Sequence, residues 1–357
     1  MKFFVILALL SQFAFAFFSF NENSYSNVSD EIKILKSLDI DTSFAQDKHY
    51  IKMKNEIDKL KTKYFLQILE QGQIFVPILR KMISESNIPD TFLYMAMVES
   101  KFKIKATSHK NAKGLWQFIP KTAKTIGLKQ NRYIDERLDP IKSTQAAIKY
   151  LNYLHDRFQK WYLVAIAYNC GESRLARAIK RAKTDKLSVL IDNQKKYLPK
   201  ESRDYIRKII IMALLANNKD LVIKNGAEHL FNTAYNSTLI KVYAKGGMSL
   251  KKIAKAIGVS YKKLKEYNHH IKRGVLPPTY SKYHIYIPSD RVVYFNANFS
   301  EPTYKAENMF IYRVKKGDNL SKISRKYNLK ISTIKRLNNL NKDLLKIGDT
   351  LTLYANN

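Results

Sequence analysis

Cysteine is almost absent from this chain of 357 residues, because Cys170 is the only one. A single thiol excludes an intramolecular disulfide and a metal cluster built on cysteines. It also excludes a lipoprotein, since lipid attachment requires a cysteine directly after the export signal and Cys170 lies far from the N-terminus. We recognise no ligand set for a metal or a cofactor in the sequence, and we expect neither.

Acidic residues are scarce: 30 Asp and Glu stand against 63 Lys and Arg, which gives a formal net charge of +33. Such a surplus raises the hypothesis of nucleic-acid binding, because basic surfaces gain affinity by releasing counterions. The lysines are spread through all segments, however, and an export signal would remove the chain from nucleic acid. We therefore expect a different anionic partner and no nucleic acid.

The first residues lack charge between Lys2 and Glu22, and an apolar run extends over residues 3–18. The small-residue pattern Ala14-Phe15-Ala16 predicts cleavage by signal peptidase before Phe17. We expect residues 1–16 to be a signal peptide for export to the periplasm or cell envelope. The alternative is an uncleaved segment that anchors the chain to the membrane.

One carboxyl group stands out at the end of an apolar run, residues 92–100, in which Glu99 is the only charged residue. Pro89-Asp90-Thr91 predicts a helix start, with the Asp90 side chain accepting from the first-turn amides. Glu99 then falls near the C-terminus of the helix, where the dipole and the apolar neighbours both favour the protonated carboxyl. Such a group can act as a general acid, although a glutamate at a helix end, taken alone, is more often a surface residue.

Further motifs follow Glu99 in a fixed order and resemble one enzyme family. They are Glu99-Ser100, Ser108, GLWQFIP at 114–120, DERLDP at 135–140, AYNCG at 167–171 and PKESRDYI at 199–206. This order is similar to that of the lytic murein transglycosylases of the soluble-transglycosylase type, and Trp116-Gln117-Phe118 is most similar to their membrane-bound transglycosylase D branch. The departures from the family pattern are Cys170, where alanine is more common, and Ser202, where threonine is common.

The resemblance implies a lysozyme-like helical domain that cleaves the β-1,4 bond between N-acetylmuramic acid and N-acetylglucosamine in peptidoglycan without water. Glu99 would protonate the glycosidic oxygen and then accept the proton of the 6-hydroxyl of the same muramoyl sugar, giving a 1,6-anhydro end. One carboxyl suffices for this scheme because the attacking hydroxyl is intramolecular. No acidic residue lies between Glu99 and Asp135, but folding could bring Asp139 or Glu172 close.

The resemblance also implies roles for neutral residues around the acid. Gln117 would contact sugar hydroxyls or the acetamido group, and Ser108 would bond near the acid or the N-acetyl group. Tyr168, Asn169 and Tyr205 would line the cleft, with the Tyr205 hydroxyl bonded to Glu99. Each has a plainer alternative as a core or turn residue. For Trp116, we favour core packing over stacking on a sugar ring.

The C-terminal third contains an internal repeat. Residues 311–353 resemble a LysM module, which has the order strand, Gly-Asp turn, two helices and strand. Seven positions of this segment match earlier positions at a constant offset; they are Gly247, Leu250, Ile253, Gly258, Leu264, Tyr267 and Asn268, matching Gly317, Leu320, Ile323, Asn328, Ile334, Leu337 and Asn338. The first copy lacks the Asp of the turn and carries an insertion at 269–283 before a predicted strand at 284–287. The resemblance implies binding to N-acetylglucosamine-containing glycan; either copy could instead be a spacer.

Together these patterns predict a mainly α protein of several domains. After the signal peptide we expect an N-terminal helical segment at 17–75, a lysozyme-like catalytic domain at 76–225, a degenerate LysM-like βααβ module at 238–290 and an intact LysM module at 309–355. Within the N-terminal segment, the apolar spacing over residues 50–69 predicts one helix that packs on the catalytic domain. Peptidoglycan glycan strands are the expected partner, with possible membrane association through the N-terminal segment. Two alternatives stay open: a hydrolytic muramidase, and a wall-binding scaffold without catalysis.

Overall fold

The computed structural model describes residues 28–57, 59–226, 239–299, 309–338, 340 and 343–354. Two compact units divide the chain, one ending at Phe295 and one beginning at Asn296. The predicted signal peptide and both segments that join the repeats to their neighbours lie largely or wholly outside the described residues. Within the described part, no helix is long and apolar enough to cross a bilayer.

The first unit is mainly helical, as the sequence predicts. Its helices before the first strand are α1 Val28–Ser37, α2 Lys48–Asn55, α3 Lys59–Gln71, α4 Val76–Ser84, α5 Leu93–Ser100, α6 Pro120–Thr125, α7 Pro140–Phe158, α8 Trp161–Cys170, α9 Glu172–Ala182, α10 Leu187–Leu190, α11 Lys200–Asn217 and α12 Lys219–Lys224. Short 3₁₀ turns at 42–46, 90–92 and 136–138 lie between some of them.

Helix α8 lies at the centre of this unit and packs against α7, α9 and α11. Residues 162–167 of α8 are all buried, as expected for a helix that is apolar on every side. Leu35 and Phe65 belong to the same hydrophobic core. The N-terminal helices are therefore packed onto the helices that follow them, α11 above all, and are not a separate layer.

Two local expectations for the first unit are wrong. The pattern over residues 50–69 predicts one helix, but the chain breaks between α2 and α3, where Ile57 is buried in the turn. The Asp90 side chain makes no capping hydrogen bond, because Pro89 occupies the N-cap and a 3₁₀ turn precedes α5. Tertiary packing of Ile57 and the fixed backbone of proline override the local signals.

The first repeat has the predicted βααβ order. It consists of β1 Leu239–Lys245, α13 Leu250–Ala256, α14 Tyr261–Tyr267 and β2 Lys282–Pro288, and is followed by α15 Val292–Phe299. The strands β1 and β2 are antiparallel, with Val242 opposite Ile285.

The second repeat, in the second unit, has the same order: β3 Met309–Arg313, α16 Leu320–Lys326, α17 Ile331–Leu337 and β4 Thr350–Tyr354. Its core contains Leu320, Ile323, Ile334, Leu351 and Leu353, all five predicted from the sequence.

One asparagine in each repeat confirms their equivalence. The Asn268 side chain donates to the Leu264 and Tyr286 carbonyls and accepts from the Tyr286 amide at 2.7 Å. Asn338 makes the same three bonds to Ile334 and Thr352. Each asparagine thus ties the end of the second helix to the last strand, which explains why it recurs at a constant offset.

Hydrogen bonds in and next to the DERLDP segment join the first repeat to the helices of the first unit. The backbone amide of Asp135 donates to the His270 carbonyl at 2.9 Å, and Lys272 donates to the Tyr133 carbonyl at 2.7 Å. The Tyr283 hydroxyl donates to Glu136 at 2.8 Å, with both side chains buried. A LysM-like module that packs in this way shares a rigid interface with the helical part.

Candidate active site

Glu99 is the penultimate residue of α5, as the sequence predicts. The helix ends because Lys101 and Phe102 both adopt left-handed backbone conformations, with φ of 55°. Met95 and Phe102, which lie close to Glu99 in the sequence, are both buried. Glu99 is partly exposed, so it lies at the protein surface and not inside the core.

The Glu99 carboxyl holds its proton unusually tightly. Burial raises its pKa to about 7, the nearby charge of Glu201 acts in the same direction, and the Tyr205 hydroxyl acts in the opposite direction. A carboxyl with this pKa is protonated for about half of the time at neutral pH. It can therefore both donate and accept a proton there.

Two tyrosines interact with the carboxyl, of which Tyr205 is buried and Tyr168 is partly buried. Tyr205 faces Glu99, although its hydroxyl makes no hydrogen bond of ordinary geometry. Tyr168 donates to the Trp116 carbonyl at 2.6 Å. Burial and the negative charge of Glu99 raise the pKa of both phenols well above the ordinary value, so both stay neutral hydrogen-bond donors.

The other three predicted residues hold the backbone around this group. Asn169 accepts from the Ser202 hydroxyl at 2.7 Å and so connects α8 to α11. Gln117 has a φ of 47°, and its side-chain amide donates to the Ala106 and Gly114 carbonyls at 3.1 and 2.8 Å. Ser108 is exposed in a tight turn and accepts from the Ala112 amide at 3.1 Å. In the described part of the chain, no hydrogen bond joins these three side chains to Glu99.

The GLWQFIP segment packs against the DERLDP segment through Gly114 and Arg137. A Cβ atom at Gly114 would lie 1.8 Å from the Arg137 carbonyl oxygen, so only glycine fits there. The buried Arg137 guanidinium binds both oxygens of Asp135 and donates to the Asn111 and Phe118 carbonyls. The sequence does not indicate this role of Arg137, because the two carbonyl groups that it binds come from a distant segment.

Trp116 is fully buried and donates from its indole nitrogen to Thr144 at 2.9 Å. The expected core packing is confirmed, and stacking of this ring on a sugar is excluded.

The acidic residues that folding could have brought to Glu99 have other partners. Asp139 caps α7 and binds His284 at 2.6 Å. Glu172 pairs with Arg157 at 2.8 Å. The carboxylate whose charge raises the pKa of Glu99 is that of Glu201. Glu201 lies in the PKESRDYI motif, but the sequence alone does not indicate its effect on Glu99.

A cationic cavity of about 660 Å³ opens between α9 and the start of α11. Its basic lining residues are Arg174, Arg177, Arg181, Lys196, Lys200 and Arg203. The cavity places part of the excess positive charge in one concave surface, which suits an anionic ligand.

Comparison with known families matches three segments of the chain. Residues 78–191 match the transglycosylase SLT domain, residues 238–303 match the LysM-like domain of lytic transglycosylase MltD, and residues 312–353 match the LysM domain. In chain order, a segment that matches the SLT domain is thus followed by two segments that match LysM-type domains. Glu99, Tyr168 and Gln117 lie within the matched SLT segment, whereas Tyr205 on α11 lies beyond it.

Individual proteins are similar to parts of this chain. The membrane-bound lytic murein transglycosylase D of Escherichia coli K12 is 30% identical over 286 residues, which cover 76% of this chain and 62% of that protein. A putative tributyltin chloride resistance protein of an Alteromonas species is 41% identical over 102 residues, covering 28% of this chain and 49% of that protein. The crystal structure of the 70 kDa soluble lytic transglycosylase of Escherichia coli is 22% identical, with a TM-score of 0.32, covering 43% of this chain and 25% of that one. This chain thus spans less than two thirds of the curated relative's length.

Proposed function

We propose that this chain is a peptidoglycan lytic transglycosylase in which Glu99 is the single general acid and base. The observation that carries the proposal is a carboxyl with a pKa raised to about 7, set between two neutral tyrosines in an SLT domain. The substrate bond would be the β-1,4 link between N-acetylmuramic acid and N-acetylglucosamine. The protein would act in the cell envelope, where this polymer lies.

The reaction proceeds in two proton transfers. Protonated Glu99 donates to the glycosidic oxygen, and the bond from that oxygen to the anomeric carbon of the muramoyl sugar breaks. The resulting carboxylate then takes the proton of the 6-hydroxyl of the same sugar, whose oxygen bonds to the anomeric carbon. Glu99 recovers its proton, no water is consumed, and the product ends in a 1,6-anhydro ring.

Neutral dipoles support this cycle in the proposal. Tyr205 orients the Glu99 carboxyl, and Tyr168 fixes the Trp116 backbone beside it. Ser108 and Gln117, in the loop after α5, and Asn169, near the end of α8, would line the sugar-binding surface. Such preorganised donors would stabilise an oxocarbenium-like transition state without a metal.

Mass analysis of digested sacculi tests the proposal. Wild type should release disaccharide peptides with an anhydro end, and Glu99→Gln should lose at least about 1000-fold in turnover while still binding sacculi. Products that contain one added water, or an active Glu99→Gln variant, would contradict the mechanism.

Glu201 makes the hydrolytic muramidase a definite second candidate, since its charge acts on Glu99. A hydrolase would need a second carboxylate to activate water or to attack. Glu201→Gln therefore separates the two reactions. It should leave the anhydro product and most of the turnover in place for the transglycosylase, but it should abolish turnover for a hydrolase that uses this group.

A further inference from the structure

A buried group of three potential metal ligands lies where the first LysM-like repeat meets the helical part of the first unit. It consists of Asp139, His270 and His284, of which none is more than 3% exposed. Their ligand atoms all lie within 4.8 Å of one another. The group belongs to none of the steps proposed for the reaction at Glu99.

The geometry of the group converges on one carboxylate oxygen. Oδ2 of Asp139 lies 2.6 Å from Nε2 of His284 and 3.8 Å from Nε2 of His270. The two imidazole rings are nearly parallel, at 8°, with their centroids 5.0 Å apart. Ligands of a tetrahedral zinc ion lie about 3.3 Å from one another, so shifts of less than about 1 Å would bring all three to one ion.

The environment of the His270 side chain requires an explanation. It is fully buried, and neither of its ring nitrogens makes a hydrogen bond of ordinary geometry. A buried imidazole whose ring nitrogens lack ordinary hydrogen bonds is costly, and an ion is one of the standard explanations for such a group. One of its nitrogens faces the carboxylate that His284 already binds.

The hydrogen bonds around Asp139 also suit a carboxylate that coordinates a metal ion. Its other oxygen, Oδ1, accepts from the Ile141 and Lys142 amides at the start of α7 and from the Tyr286 hydroxyl at 2.9 Å. These bonds fix the carboxylate and leave Oδ2 directed at the histidines. Partners of this kind orient the first shell of protein metal sites.

The second repeat lacks this group. His270 corresponds to Leu340 at the constant offset, and the equivalence of Tyr286 with Thr352 places Thr350 at the position of His284. The histidines are therefore not required by the βααβ fold. They occur in the repeat that packs against Asp139.

We propose that Asp139, His270 and His284 bind one divalent transition-metal ion, such as Zn²⁺, that fastens the first LysM-like repeat to the SLT domain. Two imidazoles and one carboxylate form a known set of three protein ligands for zinc, in which a water molecule completes the tetrahedral coordination. The ion would be structural, because its ligands are shielded from solvent. It would join Asp139 at the N-terminus of α7 to the insertion and last strand of the repeat.

The test uses the untagged chain, stripped with a chelator and titrated with Zn²⁺ or Co²⁺. We expect one metal ion per chain after gel filtration, d–d absorption bands with Co²⁺, and a rise in the thermal midpoint of about 5 °C with excess zinc. His270→Ala and His284→Ala should each weaken zinc binding by at least about 100-fold. His269→Ala, which changes the half-exposed neighbour outside the group, should bind like wild type.

Several results would overturn the site. They are a wild-type chain that binds no stoichiometric metal, a Co²⁺ complex without d–d bands, unchanged binding in His270→Ala, and equal loss in His269→Ala. Should both ligand variants fail to fold, the wild-type cobalt titration decides by itself. Digestion of sacculi by wild type with and without chelator is a separate readout, so failure of the metal site leaves the proposed reaction untouched.

Discussion

At the scale of single residues, Glu99 combines two opposing influences. Burial pushes its pKa up, and the Tyr205 hydroxyl pulls it down, with a balance at about 7. An acid that must also serve as a base in the next step works best near this value, because neither protonation state is then rare. Glu99 as a residue is partly exposed, although its carboxyl group is buried enough for its pKa to rise.

The pH dependence of turnover follows from this balance. Because the first step needs protonated Glu99, kcat/KM on soluble glycan strands should fall above about pH 7. Tyr205→Phe removes the influence that lowers the pKa of Glu99, so the alkaline limb should move to higher pH. Kinetic pH profiles of wild type and Tyr205→Phe measure the shift; an unchanged limb, or one moved to lower pH, would separate Tyr205 from Glu99.

The position of Glu99 at the end of a helix and the burial of Trp116 could be predicted from the sequence, because each depends on neighbours close in the chain or on its own apolar area. Glu201 could not. Its effect on Glu99 arises only when the start of α11 packs beside the end of α5, about 100 residues earlier in the chain. The sequence places Glu201 in a motif without giving its distance from the acid.

At the scale of elements, the loop after α5 depends on contacts between segments. Gly114 approaches the Arg137 carbonyl, and the Arg137 guanidinium holds the carbonyls of Asn111 and Phe118. Gln117 is fixed by the same loop. The segment that would face the sugar is thus held by buried polar groups and not by a regular helix or strand.

Substitution of Gly114 tests this arrangement. Gly114→Ala should destabilise the protein by at least about 3 kcal/mol, because the new methyl group would collide with backbone as well as strain a positive φ. Gly127→Ala is the matched control, since Gly127 also has a positive φ, of 84°, but has open space around it. Its cost should be only about 1 kcal/mol, for the backbone strain alone.

Thermal or urea unfolding of the two variants gives the comparison. Equal losses of unfolding free energy would show that the contact with Arg137 does not matter and that the φ angle explains both.

Element types were predictable where a pattern was long, as in α8 and in the two βααβ repeats. The break between α2 and α3 was not, since Ile57 continues the helical spacing and only packing turns it inward. The N-cap of α5 was also misassigned. A serine, threonine or aspartate near a helix start is a local preference that a neighbouring proline can displace.

At the scale of the whole molecule, the two repeats belong to different compact units. The first is joined to the SLT domain by buried polar bonds that involve Glu136 and Asp139. The second forms a compact unit with its own core. The first βααβ repeat is therefore part of a larger unit, whereas the second repeat makes up most of its own unit.

Removal of the second unit should separate targeting from chemistry. We expect a chain that lacks residues 309–357 to bind sacculi roughly tenfold more weakly, because one of its attachment points is lost. Its turnover on short soluble glycans should stay near wild type, since Glu99 and its neighbours lie in the other unit. Pull-down with sacculi at low and high salt, beside assays on soluble glycans, measures both.

Salt should weaken the binding of both chains, because the net charge of +33 attracts an anionic wall. Equal sacculus affinity with and without the second unit would remove its role in targeting, and equal retention at low and high salt would remove the electrostatic one.

The sequence by itself determined the mainly helical class, the two repeats, the position of Glu99 at the end of a helix and the excess of positive charge. These depend on residue types at short spacing, which local chain geometry converts directly into structure. Only the tertiary structure decided that Glu201 acts on the acid, that Arg137 holds the loop, and that Asp139 meets His270 and His284. Those groups come from segments up to about 145 residues apart, and only packing of the core and docking of the first repeat bring them together.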